Sequence, residues 1–490
     1  MNRTRLPIPP AVGHLRSTIA ATALKPRSII ADAVGVCVQR LEERRFLSAG
    51  GLDRTFGTNG YVLTSIYASP ASSGLDGSDI ASAATDNISG KLIVAGSADA
   101  NAAFAAVRYN ANGSRDVSFG QGGQAVVNFG PGKLATDNSV AVQPDGKILL
   151  GGAATVAGSN LSSVIARLTN NGQLDSTFGD NGMLAAPVDS TLYAYSAVVK
   201  IVVEPDGGIV AAGRAGNADE TNEDWVVWRF TADGQLDPSF GTDGTTVIDL
   251  GGLDEPLDMV LAPDGKIVVV GTSQSADQAG DPLQHSGFWL VRLTPDGVPD
   301  SSFGGNGIVQ EQLTQPTFAA RVALGPDGRI LVAGPVIPDG TQPASPPKVA
   351  VARFNTDGTP DTSFGANGSV MTAGISVVLG MKVGNDSSAI LAGYAPVLNA
   401  TGGQSGTVTL FAHYLPNGQP DTRFAAKGLV SIRHTTSAIL NRNALFEPNG
   451  SVVLVGAGKR TASRARVAMD SCRHDSMRIR PTPNREASPR

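Results

Sequence analysis

A nine-residue string, LDSTFGDNG at 174–182, returns in near copies at 52–60, 115–123, 236–244, 299–307, 360–368 and 420–428. Its phenylalanines (Phe56, Phe119, Phe178, Phe240, Phe303, Phe364 and Phe424) stand 59 to 63 residues apart. A period of that length means one supersecondary unit per repeat, stacked on its neighbours because it cannot bury both faces alone. Two further signatures keep step with it. One is a tight turn between apolar runs, as in QPDGKILLGG, MVLAPDGKIVVVG and ALFEPNGSVVLVG, with degenerate copies at 86–96 and 383–393. Proline fixes φ and the Asp-Gly or Asn-Gly pair accepts positive φ, so each reads as a hairpin. The other is a strand running into a polar turn, as in FAAVRYNANGSRD and WVVWRFTADGQLD.

Each period therefore holds four short strands, and nowhere in it does a 3.6-residue apolar period persist. A four-stranded meander repeated at this spacing is expected to close into a ring rather than extend as a linear solenoid, whose coils are shorter. The expected fold is all-β: a seven-bladed β-propeller of four-stranded antiparallel blades. The chain opens on a motif and a fourth strand (60–65) with no partners before it. It ends on a first strand (444–446) and a second (452–456). The ring is thus expected to close by the N-terminal strand joining the C-terminal blade, which would hide both edges. RARVAMD (464–470) is the candidate for that blade's third strand. The domain reading is 1–50 as a targeting or disordered segment, 51–470 as the propeller and 471–490 as a basic disordered tail.

Charge separates the ends from the body. Residues 51–458 carry 21 basic and 37 acidic side chains, a net charge of −16, while both ends are basic. Such a body repels phosphates, so no nucleic acid is expected as a partner. No apolar run reaches the length of a membrane-crossing helix, so no transmembrane span is expected. Two cysteines, Cys37 and Cys472, lie one in each end. They make no disulfide framework, and whether they pair stays open.

LDSTFGDNG, QPDGKILLGG and VIARLTNNGQLD, spaced near sixty residues over about 52–458, look like the delta-60 repeat family of bacterial β-propeller proteins. That resemblance implies a secreted or surface-associated propeller and no defined catalytic activity. Near the N-terminus, LEERRFLSAG resembles a short LEERRxLS-like sorting motif of secreted bacterial proteins. The localisation expected from both is secreted or cell surface.

Recurring charges supply the first candidate residues. Arg108, Arg167, Arg229, Arg292, Arg353 and His413 each precede a motif carboxylate by eight residues: Asp116, Asp175, Asp237, Asp300, Asp361 and Asp421. A charge in an apolar strand needs a partner, so these are read as structural Arg/His–Asp couples, the arginines bidentate. The same carboxylates are read as turn caps and not as calcium ligands, because no copy has the oxygen density of a calcium loop. No metal and no cofactor is assigned.

No HExxH, GxSxG, Walker or CxxC motif occurs, and no catalytic residue is assigned. Short uniform turns mark one end of the sheets and variable loops the other, and recognition is expected among the variable loops. The densest acidic patch there, Asp219, Glu220, Glu223 and Asp224, is the candidate binding site. The function expected is a monomeric binding or adhesion scaffold for an unidentified protein or glycan ligand. A carboxylate pair drawn from distant loops leaves no local motif, so a carbohydrate-active or other hydrolase on the same face is the alternative.

Overall fold

The computed structural model describes residues 34–40 and 53–459, except 59, 65–78, 87, 99–102, 131–134, 156–160, 275–286, 314, 316, 338–345, 399–403, 435–438 and 448–449. The chain divides into two compact units, Met1–Asp32 and Ala33–Arg490, of which the first lies outside the described residues. The described residues form antiparallel sheets with no α-helix, and none of their helices is long and apolar enough to cross a membrane.

Four-stranded meanders follow one another along the chain. The first is Asp79–Thr85, Leu92–Ala98, Ala103–Tyr109 and Gln124–Asn128. The third (Tyr195–Val203, Ile209–Gly216, Glu223–Phe230, Thr245–Ile248) and the fourth (Leu253–Leu261, Ile267–Gln274, Phe288–Leu293, Ile308–Glu311) are joined into one sheet. A single parallel pairing of Glu223 with Leu253 makes the join. Second and third strands are mostly apolar because both their faces are covered, and every residue of Leu92–Ala98 and Ala103–Tyr109 is buried.

First strands carry a bulge at a constant place, between Asp137 and Ser139, Val198 and Lys200, Pro256 and Asp258, and Val378 and Gly380. A bulge bends the strand and frees polar groups to reach sideways. Accordingly Asn138 Nδ2 donates to the Val198 carbonyl at 2.8 Å, and the Val322 N–H donates to Asp258 Oδ2 at 3.1 Å, each in a neighbouring sheet. The cores lie between sheets. Phe178, Leu149 and Ile165 pack with Ile209, Ala211 and Trp228 of the following unit. Phe56, Val453 and Val455 pack with Leu92, Val94 and Val107, so the last sheet shares a core with the first.

The last sheet departs from expectation in one strand. Its order is Ile439–Phe446, Val452–Lys459, Val34–Arg40, Tyr61–Thr64. RARVAMD, expected in third place, lies outside the described residues, and VGVCVQR holds that place instead. The segment read as targeting or disordered thus contributes a strand. Valines on alternate positions suit a pleated, covered strand better than the two arginines of RARVAMD. Arg40 also stands opposite Val453, the register place that Arg108 holds opposite Ile93 in the first sheet. Residues 34–40 therefore carry the repeat's third-strand pattern, hidden by a longer connection to the motif. Cys37 lies in this strand, and Cys472 is outside the described residues.

Candidate functional site

The turn end of the sheets shows what the nine-residue string does. In each regular copy the arginine divides its donors three ways. Arg167 Nε donates to Asp175 Oδ2 at 2.9 Å, Nη2 donates to Thr177 Oγ1 at 3.2 Å, and Nη1 donates to the Ala232 carbonyl of the next unit at 2.5 Å. The other carboxylate oxygen, Oδ1, accepts the N–H and hydroxyl of Thr177. That is why a Ser or Thr so often stands two residues after the aspartate. The arginine–aspartate contact is single-pointed rather than bidentate, because the rest of the fork is needed to cross to the neighbour. Arg292–Asp300 (2.9 Å) and Arg353–Asp361 (2.7 Å) repeat the plan, while Arg108 keeps the bond to Asp116 (2.7 Å) and the crossing bond to the Asn170 carbonyl. In the sixth unit His413 Nδ1 stands 3.2 Å from Asp421 Oδ2, and the Arg423 guanidinium approaches Asp421 Oδ1 at 3.0 Å.

The motif phenylalanine lies under this arginine and against the next sheet. The Arg167 guanidinium sits 4.5 Å from the Phe178 ring centre, and Phe178 is fully buried. Gly234, in the next unit's turn, has φ +88°, and a Cβ there would meet the Phe178 ring at 2.5 Å, so only glycine fits. Burial works against ionisation of these carboxylates, yet their hydrogen bonds prevail. Asp300 is held near 2 by Ser302 and the Arg292 and Lys266 charges, and Asp116 also lies well below its ordinary range. Arg229 and Asp237 follow the plan at 2.8 Å, but Gly208 stands where Lys147, Lys266 and Arg329 give other units a second cation. The Asp237 side chain is accordingly 26% exposed, against 7% for Asp175. A cavity of about 440 Å³ between the second and third units also lies at this end, but Lys147, Arg167 and Asp145 in its wall are already engaged with one another's partners.

Among the described residues, the loop end holds one group of polar side chains that does not repeat. It lies where the third and fourth sheets join. The 217–222 turn is held by Asn217, whose Oδ1 accepts the N–H groups of Thr221 and Asn222 at 3.0 and 3.1 Å. This presents Asp219 and Glu220 to solvent, Glu220 with φ +58°. Glu223 and Asp224, at the start of the third strand, turn inward and are buried. The structure thus separates the four candidate residues into an exposed pair and a buried pair.

Around the buried pair stand residues that the sequence reading missed. Tyr195 donates to Glu223 Oε2 at 2.6 Å, and Tyr193 donates to Asp224 Oδ2. Arg214 Nη1 bridges Glu223 Oε1 (3.1 Å) and Glu255 Oε1 (3.3 Å), tying the third unit to the fourth. Asp249 comes from the connection into the fourth unit and Asp254 from the start of its first strand. One oxygen from each of Asp224, Asp249 and Asp254 lies within 4.8 Å of the others. Asp249 is exposed; Asp254 is fully buried, accepting the Leu250 N–H through Oδ2 at 2.6 Å. Burial pushes the Asp254 carboxyl up to about 6, and the Asp224 and Asp249 charges add to the shift. Burial likewise raises Asp224 and Glu255, and it raises both tyrosines together with their carboxylate partners. The one sequence signal that could have found these groups is their departure from the repeat. No other unit places tyrosines at both 193- and 195-equivalent positions, or two acids in succession at the start of its first strand.

A family model described as "Domain of unknown function (DUF5122) beta-propeller" matches residues 89–119, 143–178, 204–240, 262–303 and 325–364. The matched segments are those of a β-propeller repeat family. No curated protein matches the chain by sequence. Among solved structures it is similar to an ulvan lyase of a polysaccharide lyase family, at 12% identity and a TM-score of 0.43, over 78% of this chain and 93% of that one. It is similar to the α-L-arabinanase of Penicillium chrysogenum at 11% identity and a TM-score of 0.34, over 66% and 92%. The β-propeller domain of the Trilobed protease from Pyrococcus furiosus gives 12% identity and a TM-score of 0.34, over 68% and 82%. Likenesses this shallow assign no chemistry to the present residues.

Proposed function

We propose that the chain is a secreted or cell-surface seven-bladed β-propeller that binds a protein or glycan ligand through the loop end of its sheets. Its ring closes through the N-terminal strands that complete the C-terminal blade. Three contacts support the closure. First strands touch one another in chain order, and Ile439–Phe446 touches Asp79–Thr85. The last and first sheets share a core. The Gly57 N–H donates to the Asn112 carbonyl at 2.7 Å, as Gly241 does to Asp296 at 2.8 Å in the regular copies. Export rests on the sorting-motif resemblance of LEERRFLSAG and on the repeat itself.

The observation that carries the binding reading is the non-repeating acidic and tyrosine group at the junction of the third and fourth blades, rimmed by exposed Asp219 and Glu220. Rigid sheets that present a singular polar cluster among variable loops suit recognition. A hydrolase is the second reading, favoured by a carboxyl held near 6 beside another carboxylate. Against it, Asp254 is fully buried and Glu223 and Asp224 are locked by tyrosines, so none of these acids faces open solvent as a general acid must. A glycan array and a glycoside hydrolase and lyase panel on the purified protein separate the two. Retention of a glycan without turnover supports the scaffold; turnover lost in Asp254→Asn replaces it with the enzyme.

A further inference from the structure

The buried end of this cluster has a charge problem that no described residue resolves. Asp254 is fully buried, and its Oδ1 has no hydrogen-bond partner; the Ser273 hydroxyl is near but outside hydrogen-bonding geometry. Among the described residues, Arg214 is the cation of this region, and it is spent on Glu223 and Glu255. Asp224 has neutral donors alone, Tyr193 and Asn222, and Asp249 has the Gly251 N–H at 2.8 Å. Three carboxylates that converge within 4.8 Å with no counter-charge, one of them buried with an idle oxygen, make an unstable arrangement unless something positive joins them.

We propose that Asp224, Asp249 and Asp254 bind a calcium ion that ties the third blade to the fourth. All the donors are hard oxygens, which excludes a soft-metal site. They come from the starts of two strands, Asp224 and Asp254, and from the connection between the units, Asp249, so their spacing adapts to a large cation more readily than to the rigid octahedron of magnesium. Exposed Asp249 leaves one side open for water to complete the shell. The site is independent of whatever the neighbouring loops recognise. It is also distinct from the repeated motif carboxylates, each of which already has an arginine as its counter-charge.

The test uses the full chain, stripped with a chelator and titrated at constant ionic strength with calcium, with magnesium, and with terbium as a luminescent substitute. Trp225, next to Asp224, and Tyr193 are the built-in sensitisers. Extracellular-type calcium sites bind at roughly 0.1–1 mM, so about 10 mM calcium is expected to raise Tm by about 2–4 °C. Terbium luminescence excited through the aromatic side chains should rise and be displaced by calcium. Asp249→Asn, an exposed isosteric change, is expected to leave the chelated protein's Tm unaltered, to weaken terbium binding at least about tenfold and to abolish the calcium shift. Asp254→Asn should abolish the calcium shift while leaving the chelated protein at least as stable at pH 7. No Tm shift and no luminescence at these concentrations overturns the site. So does an undiminished response in Asp249→Asn, and a magnesium response as strong as the calcium one overturns the identity of the ion.

Discussion

The two ends of the same sheets handle carboxylates in opposite ways. At the turn end Asp116, Asp175, Asp300 and Asp361 are buried, yet each is held below its ordinary pKa by a fixed set of donors. At the loop end Asp224, Asp254 and Glu255 are raised, because burial and neighbouring acids outweigh their donors. Every unit solves the first problem with nearly the same residues. The second arises once and is left standing. A repeated, fully satisfied network is what stability requires of a stacked array, whereas a singular, unsatisfied one costs stability and calls for another explanation.

The largest effect that can break this contrast is expected at the most buried staple. Arg167→Ala removes the crossing bond to the Ala232 carbonyl and strands Asp175, and is expected to cost about 3–5 kcal/mol in denaturant unfolding. A loss below about 1 kcal/mol would make the staple a surface pair and erase the difference between the ends. Arg229→Ala should cost less, about 2 kcal/mol, since Asp237 is partly exposed and its charge is left in contact with water.

The pH dependence tests the contrast by sign. Asp300 has its folded pKa near 2, below the ordinary 3.8, so its contribution is present above about pH 4 and lost as pH falls through 2. That is about 2 kcal/mol for this one carboxylate. Asp254 behaves oppositely: with chelator present, its stabilising proton is held below pH 4 and lost as pH rises through 6. Unfolding free energies at pH 2, 4 and 7 should therefore show a shallower acid slope in Asp300→Asn and a shallower neutral-side slope in Asp254→Asn. Like-signed changes in the two variants would dissolve the distinction.

How far the sequence could be read follows the same division. The arginine and aspartate stand eight residues apart in five copies, and the structure places them in contact because a third strand, its turn and the motif leave little freedom between them. The phenylalanine's place between sheets was legible for the same reason. The division of the arginine fork was not, since its third partner is a carbonyl some 65 residues away in sequence. Val34–Arg40 escaped because its link to the motif is longer than in any other copy, which masked a register that Arg40 otherwise keeps. Tyr193, Asp249 and Asp254 meet only through the junction of two units, and no periodicity points to a contact that happens once. The last copy shows how local chemistry alters the pattern. Ala425 replaces the glycine that takes φ +61° at Gly365, where a Cβ would lie 2.2 Å from a carbonyl, and the turn is rebuilt as a 3-10 segment at Ala426–Gly428.

The smallest expected effect on stability sharpens the contrast most. At the turn end, left-handed backbone positions are filled by glycine or by Asn181, Asp243 and Asn367, residues that tolerate them; Ser387 and Lys427 break that habit only in the degenerate sixth unit. At the loop end Glu220 holds φ +58° with its side chain in solvent, a conformation that costs a non-glycine residue of its type about 1 kcal/mol. Glycine accepts that φ without strain but adds freedom to the unfolded chain, so Glu220→Gly should raise unfolding free energy by no more than about 0.5 kcal/mol. If the loop end is the recognition surface, the same variant loses ligand retention on the array while its Tm holds or rises. Asp219→Ala, whose exposed carboxylate accepts from Thr221 Oγ1 at 2.9 Å, should behave alike. A variant that binds as before, or that loses stability along with binding, would place Glu220 among the structural residues and move the search for the ligand to another loop.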